Sequence, residues 1–413
     1  MRFLTLTIGI LLIARQFAVA DWPEFRGPTA DGNSTASHVP VEWSADSNIA
    51  WKQAIPGNGW SSPVLAGGKL YLTTATGSPK TNDVSLRAVC IDADTGRILW
   101  NVEVLRPASA DAQAMHEKNS LASATPIVAG DRLFVHYGHM GTAALDLAGN
   151  VLWRQASLKY APEHGNGGSP ALVDGLIVFS GDGVDEQFIA ALDQETGALR
   201  WKVPRDTKAG KTFSFCTPLV VEVDGRKQII SPGSGMVGAY DPRDGREIWR
   251  VNYGEGFSVV PRPVWAHDRL YICSGFMRAN LMAIDPHGTS GDVSDTNVLW
   301  KYDRGVPTTP SVLVVGDDAY FVSDNGVATC LDAHSGEMRW TDRLGGNFSA
   351  SPVHADGRLY FLSEEGVTYV LAAGPKFKKI AKNDLDERTL ASPAVDDGAL
   401  YIRTASHLWR IGE

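Results

Sequence analysis

One short pattern recurs along almost the whole chain and limits the folds open to it. It consists of an apolar run, an Asp, a turn that usually carries Gly, a second apolar run and a Trp, and it first appears complete from Val89 to Trp100. Asp accepts hydrogen bonds from turn amides and Gly adopts positive φ, so each copy is typical of a β-hairpin. Further copies end at Trp153, Trp201, Trp249, Trp300 and Trp340.

A second pattern precedes each hairpin: a Pro next to Ser or Thr, an apolar run, a tight turn and another apolar run. Pro63 and Pro393 mark the first and last of eight copies, and they lie 330 positions apart, which gives a period of about 47. This period predicts an all-β fold, an eight-bladed β-propeller of four-stranded antiparallel blades. The seventh unit lacks both the turn and the Trp, so seven blades remain the alternative. The repeated Trp residues are interpreted as packing residues between blades.

The two ends of the propeller sequence complement each other. Residues 49–52 resemble the fourth strand of a blade without its first three, and residues 392–411 supply three strands without a fourth. We therefore expect the N-terminal strand to complete the C-terminal blade, because closure removes unpaired edges. The predicted domains are a signal peptide (1–20), an irregular arm (21–48) and a single propeller (49–413).

The first twenty residues predict export. Arg2 precedes an apolar run from Phe3 to Ile13, and Ala18-Val19-Ala20 forms a cleavage site, so we expect cleavage after Ala20 and a periplasmic or secreted protein. No later stretch is long and apolar enough for a transmembrane helix.

Charge and cysteine spacing exclude some classes of function. The formal net charge of −9 argues against nucleic-acid binding. The four cysteines fall in different repeats, so we expect buried thiols rather than disulfides. The acidic segment from His287 to Asn297 is predicted to be a solvated loop, and the protein is expected to be a monomer.

The loops between each Trp and the next Pro lie at one end of the ring and vary from 10 to 25 positions, whereas the turns at the other end are short and alike. Variable loops on a rigid scaffold usually carry binding residues. Their glycines, aromatic and polar residues suit a small ligand or a peptide, although the same residues can simply cap the rim. No metal site is predicted, because the spacing of potential ligands matches no metal motif. The candidate binding residues are Trp60, His116, Glu117, Lys118, Asn119, His164, Asn166, Phe215, Glu255, Phe257, Arg262, Asn347 and Phe348.

The repeats, Ser-Pro-(apolar) followed by Ala-Leu-Asp-x-x-Thr-Gly-x-x-x-Trp, resemble the pyrroloquinoline quinone (PQQ)-type β-propeller repeat family from Ile49 to Glu413. The segments at 22–28, 214–218 and 345–352 resemble exported propellers of planctomycete-type bacteria. Two branches of the family imply different functions: quinone-dependent dehydrogenases bind PQQ with calcium, and BamB-like propellers bind protein partners. This chain has no neighbouring cysteine pair and no recognisable calcium ligands, as the first branch requires, and no lipid-anchoring Cys after its signal, unlike the second.

Three functions follow, and no catalytic residue is assigned. The preferred hypothesis is an exported, non-catalytic scaffold that binds a protein or peptide through its loop-rich face. The alternative is an oxidoreductase dependent on PQQ or another small ligand. A second alternative is a carbohydrate-binding or hydrolytic propeller that uses the carboxylates of Glu117, Asp182 and Glu255.

Overall fold

The computed structural model describes residues 21–112 and 115–412, and these form β-strands and one 3₁₀ turn, Gly138–Met140. The predicted signal peptide lies outside the described residues. The arm leads into β1 (Ile49–Ala54). The first three blades then follow in chain order, and their strands are β2 (Val64–Ala66), β3 (Lys69–Thr76), β4 (Ser85–Asp92), β5 (Ile98–Leu105), β6 (Ile127–Ala129), β7 (Arg132–His136), β8 (Thr142–Asp146), β9 (Val151–Gln155), β10 (Ala171–Val173), β11 (Leu176–Asp182), β12 (Gln187–Asp193) and β13 (Leu199–Pro204).

Blades four to six repeat this arrangement with one additional strand, β21. Their strands are β14 (Leu219–Val223), β15 (Arg226–Gly233), β16 (Met236–Tyr240), β17 (Glu247–Asn252), β18 (Val264–Ala266), β19 (Arg269–Cys273), β20 (Leu281–Ile284), β21 (Gly291–Asp292), β22 (Val298–Tyr302), β23 (Leu313–Val315), β24 (Asp318–Val322), β25 (Val327–Asp332) and β26 (Met338–Arg343). Blades seven and eight contain β27 (Val353–Ala355), β28 (Arg358–Leu362), β29 (Val367–Ala372), β30 (Lys379–Asp384), β31 (Ala394–Asp396), β32 (Ala399–Arg403) and β33 (His407–Gly412).

The strands pair into eight separate sheets, which confirms the eight-bladed propeller and shows that the seven-blade alternative is wrong. The seventh blade has a fourth strand, β30, although it lacks the Trp. In the eighth blade β1 pairs antiparallel with β33, with Lys52 opposite Trp409. Most strand residues are buried because each blade is covered by neighbours on both faces.

The repeated Trp residues connect each blade to the next. The indole N–H of Trp51 donates to the carbonyl of Ala93 at 3.0 Å, and the hairpin turn of the next blade places Gly96 against the Trp51 ring. A side chain at Gly96 would meet that ring, so the Gly in the repeat serves this contact as well as the turn. Equivalent bonds to the next blade are made by Trp100, Trp153, Trp201, Trp300 and Trp340.

Trp249 departs from this rule because the turn of blade five is longer. The segment predicted to be a solvated loop contains β21, which pairs in parallel with β17 and so adds a fifth strand to blade four. Trp249 is fully buried, and its N–H donates instead to the side chain of Gln228 at 2.8 Å. The insertion therefore extends a sheet, and the prediction of a loop was wrong for Gly291 and Asp292.

The arm crosses the central opening of the ring. Trp22 exchanges two backbone hydrogen bonds with Leu65 of blade one, and Pro23 accepts one from Val128 of blade two. Farther along, the buried Arg26 donates to the carbonyl of Val312 of blade six at 2.7 Å, and Asn33 forms a bridge with His354 of blade seven. Contacts with blades on opposite sides of the ring mean that the arm closes the channel at the end where strands one and two of each blade are joined.

We call the end of the ring where strands one and two of each blade are joined the turn face. The opposite end, which carries the long loops, is the loop face. Within residues 21–112 and 115–412 there is no helix long and apolar enough to cross a lipid bilayer.

Candidate binding cavity

A ring of hydroxyl side chains surrounds the channel where each first strand begins. In most blades the Ser or Thr just before the repeated Pro accepts a hydrogen bond from the equivalent backbone N–H of the preceding blade, as Thr125 does from Ser62 at 3.0 Å. Blade six uses the residue after its Pro, Ser311. The ring fixes the spacing between blades and lines the channel with hydroxyls. Each of these hydroxyls already accepts one hydrogen bond from a backbone N–H. The other bonds, of 2.8 to 3.1 Å, end on Ser169, Thr217, Ser311, Ser351, Ser392 and Ser62.

Arg262 occupies the ring position of blade five, where no hydroxyl is present. Its guanidinium donates to the carbonyls of Pro218 (3.2 Å) and Phe25 (2.5 Å). It also pairs with the carboxylate of Glu24 at 2.9 Å. The one interruption of the hydroxyl ring therefore anchors the arm beneath the channel.

The channel forms a blind cavity of about 590 Å³ that opens at the loop face. Phe25 of the arm forms its floor, since the arm closes the turn face, and the hydroxyl ring forms the inner wall. The mouth is lined by side chains from the loops between blades, among them Trp60, His164 and Phe213.

Aromatic rings form a continuous arc around about half of the mouth. The centroids of His116 and His164 are 5.3 Å apart, and the next separations are 5.3 Å to Phe213, 5.4 Å to Phe257 and 5.6 Å to Phe276. Phe276 is 50% exposed. This arc, from His116 to Phe276, is an aromatic surface at the mouth that a ligand could cover.

The polar side of the cavity is largely paired within itself. Lys118 Nζ lies 2.7 Å from Glu364 Oε1, which also accepts from the hydroxyl of Ser349 at 2.6 Å. Asp324 accepts from the backbone N–H and the hydroxyl of Thr308, at 2.7 and 2.9 Å. These polar groups orient one another. The larger part of the cavity surface without such hydrogen-bond partners is the aromatic arc.

The structure brings together seven of the candidate residues from the sequence: Trp60, His116, Lys118, Asn119, His164, Phe215 and Phe257 line the cavity. Asn119 has a supporting role as well, because its side-chain N–H donates to the carbonyl of His164 at 2.8 Å.

Six candidates lie elsewhere. Phe348 is fully buried against Tyr369, and Asn166 accepts from the Tyr160 hydroxyl at 3.0 Å, so both support the fold. Arg262 holds the arm. The remaining three are outside the cavity: Asn347 donates to Glu365, Glu255 is exposed, and Glu117 lines an acidic groove with Glu364, Glu365, Asp386 and Glu387.

The carboxylates of the hydrolytic alternative do not share a site. Asp182 is buried beside Arg205, with Oδ1 and Nε 3.4 Å apart, and burial raises the pKa of Asp182 to about 6. It lines neither the cavity nor the acidic groove of Glu117.

Two parts of the cavity lie outside the loops that run from a Trp to the next Pro. Phe25 belongs to the arm, which has no periodicity, and Phe276 lies in a connection between a second and a third strand. The hydroxyl ring does have a signal in the sequence, the Ser or Thr before most of the repeated Pro residues.

The cavity does not offer the ligand set that calcium-bound PQQ needs. Its carboxylates are Asp324 and Glu163, and Asp324 already accepts two hydrogen bonds from Thr308. In the described part of the chain, no three His, Cys, Asp or Glu side chains converge within the cavity. All four cysteines are free and buried, and none has a cysteine neighbour. We therefore derive no redox step through the quinone.

Comparison with known proteins links this geometry to a family. A family model described as outer membrane protein assembly factor BamB matches residues 35–166, 89–292 and 289–375. The protein of that name from Yersinia pestis is 24% identical over 325 residues, which cover 76% of this chain and 77% of the relative. Methanol dehydrogenase (cytochrome c) subunit 1 of Paracoccus denitrificans is 31% identical over 173 residues, or 37% of this chain and 26% of the relative.

Among solved structures, BamB from Moraxella catarrhalis superimposes with a TM-score of 0.63 at 15% identity, covering 87% of this chain and 96% of that one. At this identity the likeness shows a common fold.

Proposed function

Since the chain belongs to the outer membrane protein assembly factor BamB family, we propose that it is an exported, non-catalytic scaffold that binds a protein or peptide at its loop face. The observation that carries the proposal is the aromatic arc around the mouth of the blind cavity. Exposed aromatic clusters beside a concave surface are typical of sites where a partner buries an apolar side chain.

The chemistry of the mouth specifies the kind of segment it accepts. The arc from His116 to Phe276 offers ring faces and edges, and Met277 beside it is 68% exposed. A partner side chain that covers Phe257 and Phe276 gains roughly 1.5–3 kcal/mol from apolar burial if it is as large as Leu or Phe. We infer that the partner inserts an aromatic or large aliphatic residue.

Lys211 adds a charge to this surface. Its ammonium lies 4.7 Å from the centroid of Phe257, on the rim of the cavity, and it is not among the side chains paired with a carboxylate in the described residues. A carboxylate that flanks the inserted residue would find a partner in Lys211. The segment that fits best is therefore an apolar residue next to an acidic one.

Site-specific photo-cross-linking tests the proposal. A benzophenone side chain at Phe276 of the loop face is compared with one at Leu199, which starts β13 beside the turn face and is similarly exposed, at 45% against 50%. We expect a defined cross-linked protein in extracts of the source cells from the Phe276 position only. Equal products from both positions would argue against a binding surface at the loop face.

A further inference from the structure

The turn face carries a cluster of potential metal ligands. It lies on the opposite face of the ring from the mouth of the cavity. His267 lies in the turn between β18 and β19, Asp317 in the turn between β23 and β24, and His334 in the turn between β25 and β26. One ligand atom from each side chain lies within 4.8 Å of the other two. We propose that these three side chains form a binding site for a divalent cation of the zinc class that connects blades five and six.

The donor set fits such an ion. Two imidazoles and one carboxylate are ligands that Zn²⁺ binds at about 2.0–2.2 Å, and three protein ligands leave a fourth position for water. Hard cations such as Mg²⁺ prefer sites made only of oxygen. The centroids of the His267 and His334 imidazole rings are 4.5 Å apart, so a small movement is enough for one nitrogen of each ring to bind the same ion.

The hydrogen bonds of Tyr271 fix the tautomer of His267. The Tyr271 hydroxyl donates its only proton to the carbonyl of Ala333 at 3.1 Å, and it lies 3.1 Å from His267 Nδ1. In this arrangement the hydroxyl oxygen accepts from Nδ1–H, which places the lone pair of the ring on Nε2. A hydrogen bond at the second nitrogen is how proteins usually orient a metal-binding His.

His334 and Asp317 already present their ligand atoms to one another. His334 Nε2 lies 3.0 Å from Asp317 Oδ1. A cation that enters between these two atoms replaces their hydrogen bond and binds both, with the neutral His334 ring carrying its one proton on Nδ1.

The three turns are held in place without the metal. The backbone N–H of Ala333 donates to the carbonyl of Asp317 at 2.9 Å, and Arg269 of blade five donates to the carbonyl of His334 at 3.1 Å. Arg339 is neutralised by Asp318 and Asp332, at 3.0 and 2.7 Å. A site whose ligands stand on fixed turns needs little ordering when the ion binds.

Titration of untagged, EDTA-treated protein with Zn²⁺ by calorimetry tests the site, with Mg²⁺ as the control ion. His334→Gln removes an exposed ligand without disturbing the core, and His267→Gln provides a second variant. The matched control is His287→Gln, because His287 pairs with Asp224 at 2.8 Å in an exposed His–Asp pair that is not part of a group of three ligands.

We expect a single Zn²⁺ site in the wild-type protein and in His287→Gln, no comparable Mg²⁺ binding, and affinity reduced more than about tenfold in both ligand variants. Absence of Zn²⁺ binding, or an equal loss in His287→Gln, would overturn the proposal.

Discussion

The backbone N–H of Ser392 donates to the hydroxyl of Ser62 at 3.1 Å and so joins residues 330 positions apart. This contact lies between the last blade and the first, and it repeats the bond that Ser62 itself makes to Thr125 at 3.0 Å. The hydroxyl ring therefore passes through the junction where the ends of the propeller sequence meet. Both the shape of the cavity and the stability of the closed ring depend on it.

Removal of the Ser62 hydroxyl should weaken the junction between blades eight and one. In Ser62→Ala the buried N–H of Ser392 loses its acceptor, and we expect the free energy of unfolding to fall by about 1–3 kcal/mol. Ser62→Thr is the control because Thr occupies the same position at Thr125 and Thr217. Calorimetric melting should show a lower Tm for the Ala variant and a nearly native Tm for the Thr variant; equal values would contradict the role of the ring.

Two Ala variants separate the contribution of the Trp51–Gly96 contact to stability from the backbone strain of the turn. Gly96 and Gly68 both have φ of +71°, but a Cβ at Gly96 would lie 2.7 Å from the Trp51 ring, whereas one at Gly68 meets nothing within 4 Å. Both Ala variants incur left-handed strain of about 1–2 kcal/mol. Gly96→Ala should lose about 1–3 kcal/mol more from overpacking, measured by chemical unfolding. Similar losses in both variants would show that the Trp contact contributes little.

His136 should make stability depend on pH. Burial lowers its pKa to about 3, from the usual 6.5, and its Nδ1 bonds the hydroxyl of Thr142 at 2.8 Å. Between these values the unfolded chain binds a proton that the folded protein does not, so stability falls as the pH falls below about 6.5. Lowering the pH from about 6.5 to 5 should reduce the free energy of unfolding by about 2 kcal/mol through this residue.

Urea unfolding of His136→Gln at both pH values measures this contribution, with the exposed His38→Gln as the control. The pH dependence should be shallower in His136→Gln and unchanged in His38→Gln. A slope that is the same in all three proteins would contradict the burial argument.

Titration with PQQ and calcium separates the scaffold from the oxidoreductase alternative. Asp324 of the cavity is already engaged by Thr308, and no three potential ligands converge in the cavity among the described residues, so we expect the protein to leave gel filtration without a bound chromophore. A chromophore that co-elutes with the wild-type protein, and is lost in Asp324→Asn, would instead favour a quinone site in the cavity.

Blade number could be predicted from the sequence because the repeat has a physical cause. Most units carry a Gly-containing turn at the hairpin and a Trp that packs against the next blade, as Trp51 packs against Gly96. Blade seven shows that the strand pattern is sufficient without the Trp, since β30 pairs normally after residues that carry no such signal.

The cavity was harder to predict because loops have no periodicity that tells which side chain faces inward. Phe257 and Phe348 occupy comparable loops, yet the backbone of Phe348 is tied to Asp324 by a 3.0 Å hydrogen bond and its ring enters the core. Phe25 reaches the channel only because the arm crosses a closed ring, a relation between distant parts of the chain that no local pattern encodes.

Filling the cavity tests its role in binding most directly. Gly167 lines the cavity without a positive φ, and a Cβ there would lie 3.5 Å from Phe215, so Gly167→Trp occupies the mouth without backbone strain. Gly210 lies outside the lining, also without a positive φ and with nothing within 4 Å of a Cβ, which makes Gly210→Trp the matched control.

The measurement is the Kd of a peptide selected from a displayed library against the wild-type protein, determined for all three proteins. We expect Gly167→Trp to weaken binding by about tenfold or more, equivalent to about 1.4 kcal/mol, and Gly210→Trp to leave it unchanged. Equal affinity for Gly167→Trp and the wild-type protein would contradict the assignment of the cavity as the binding site.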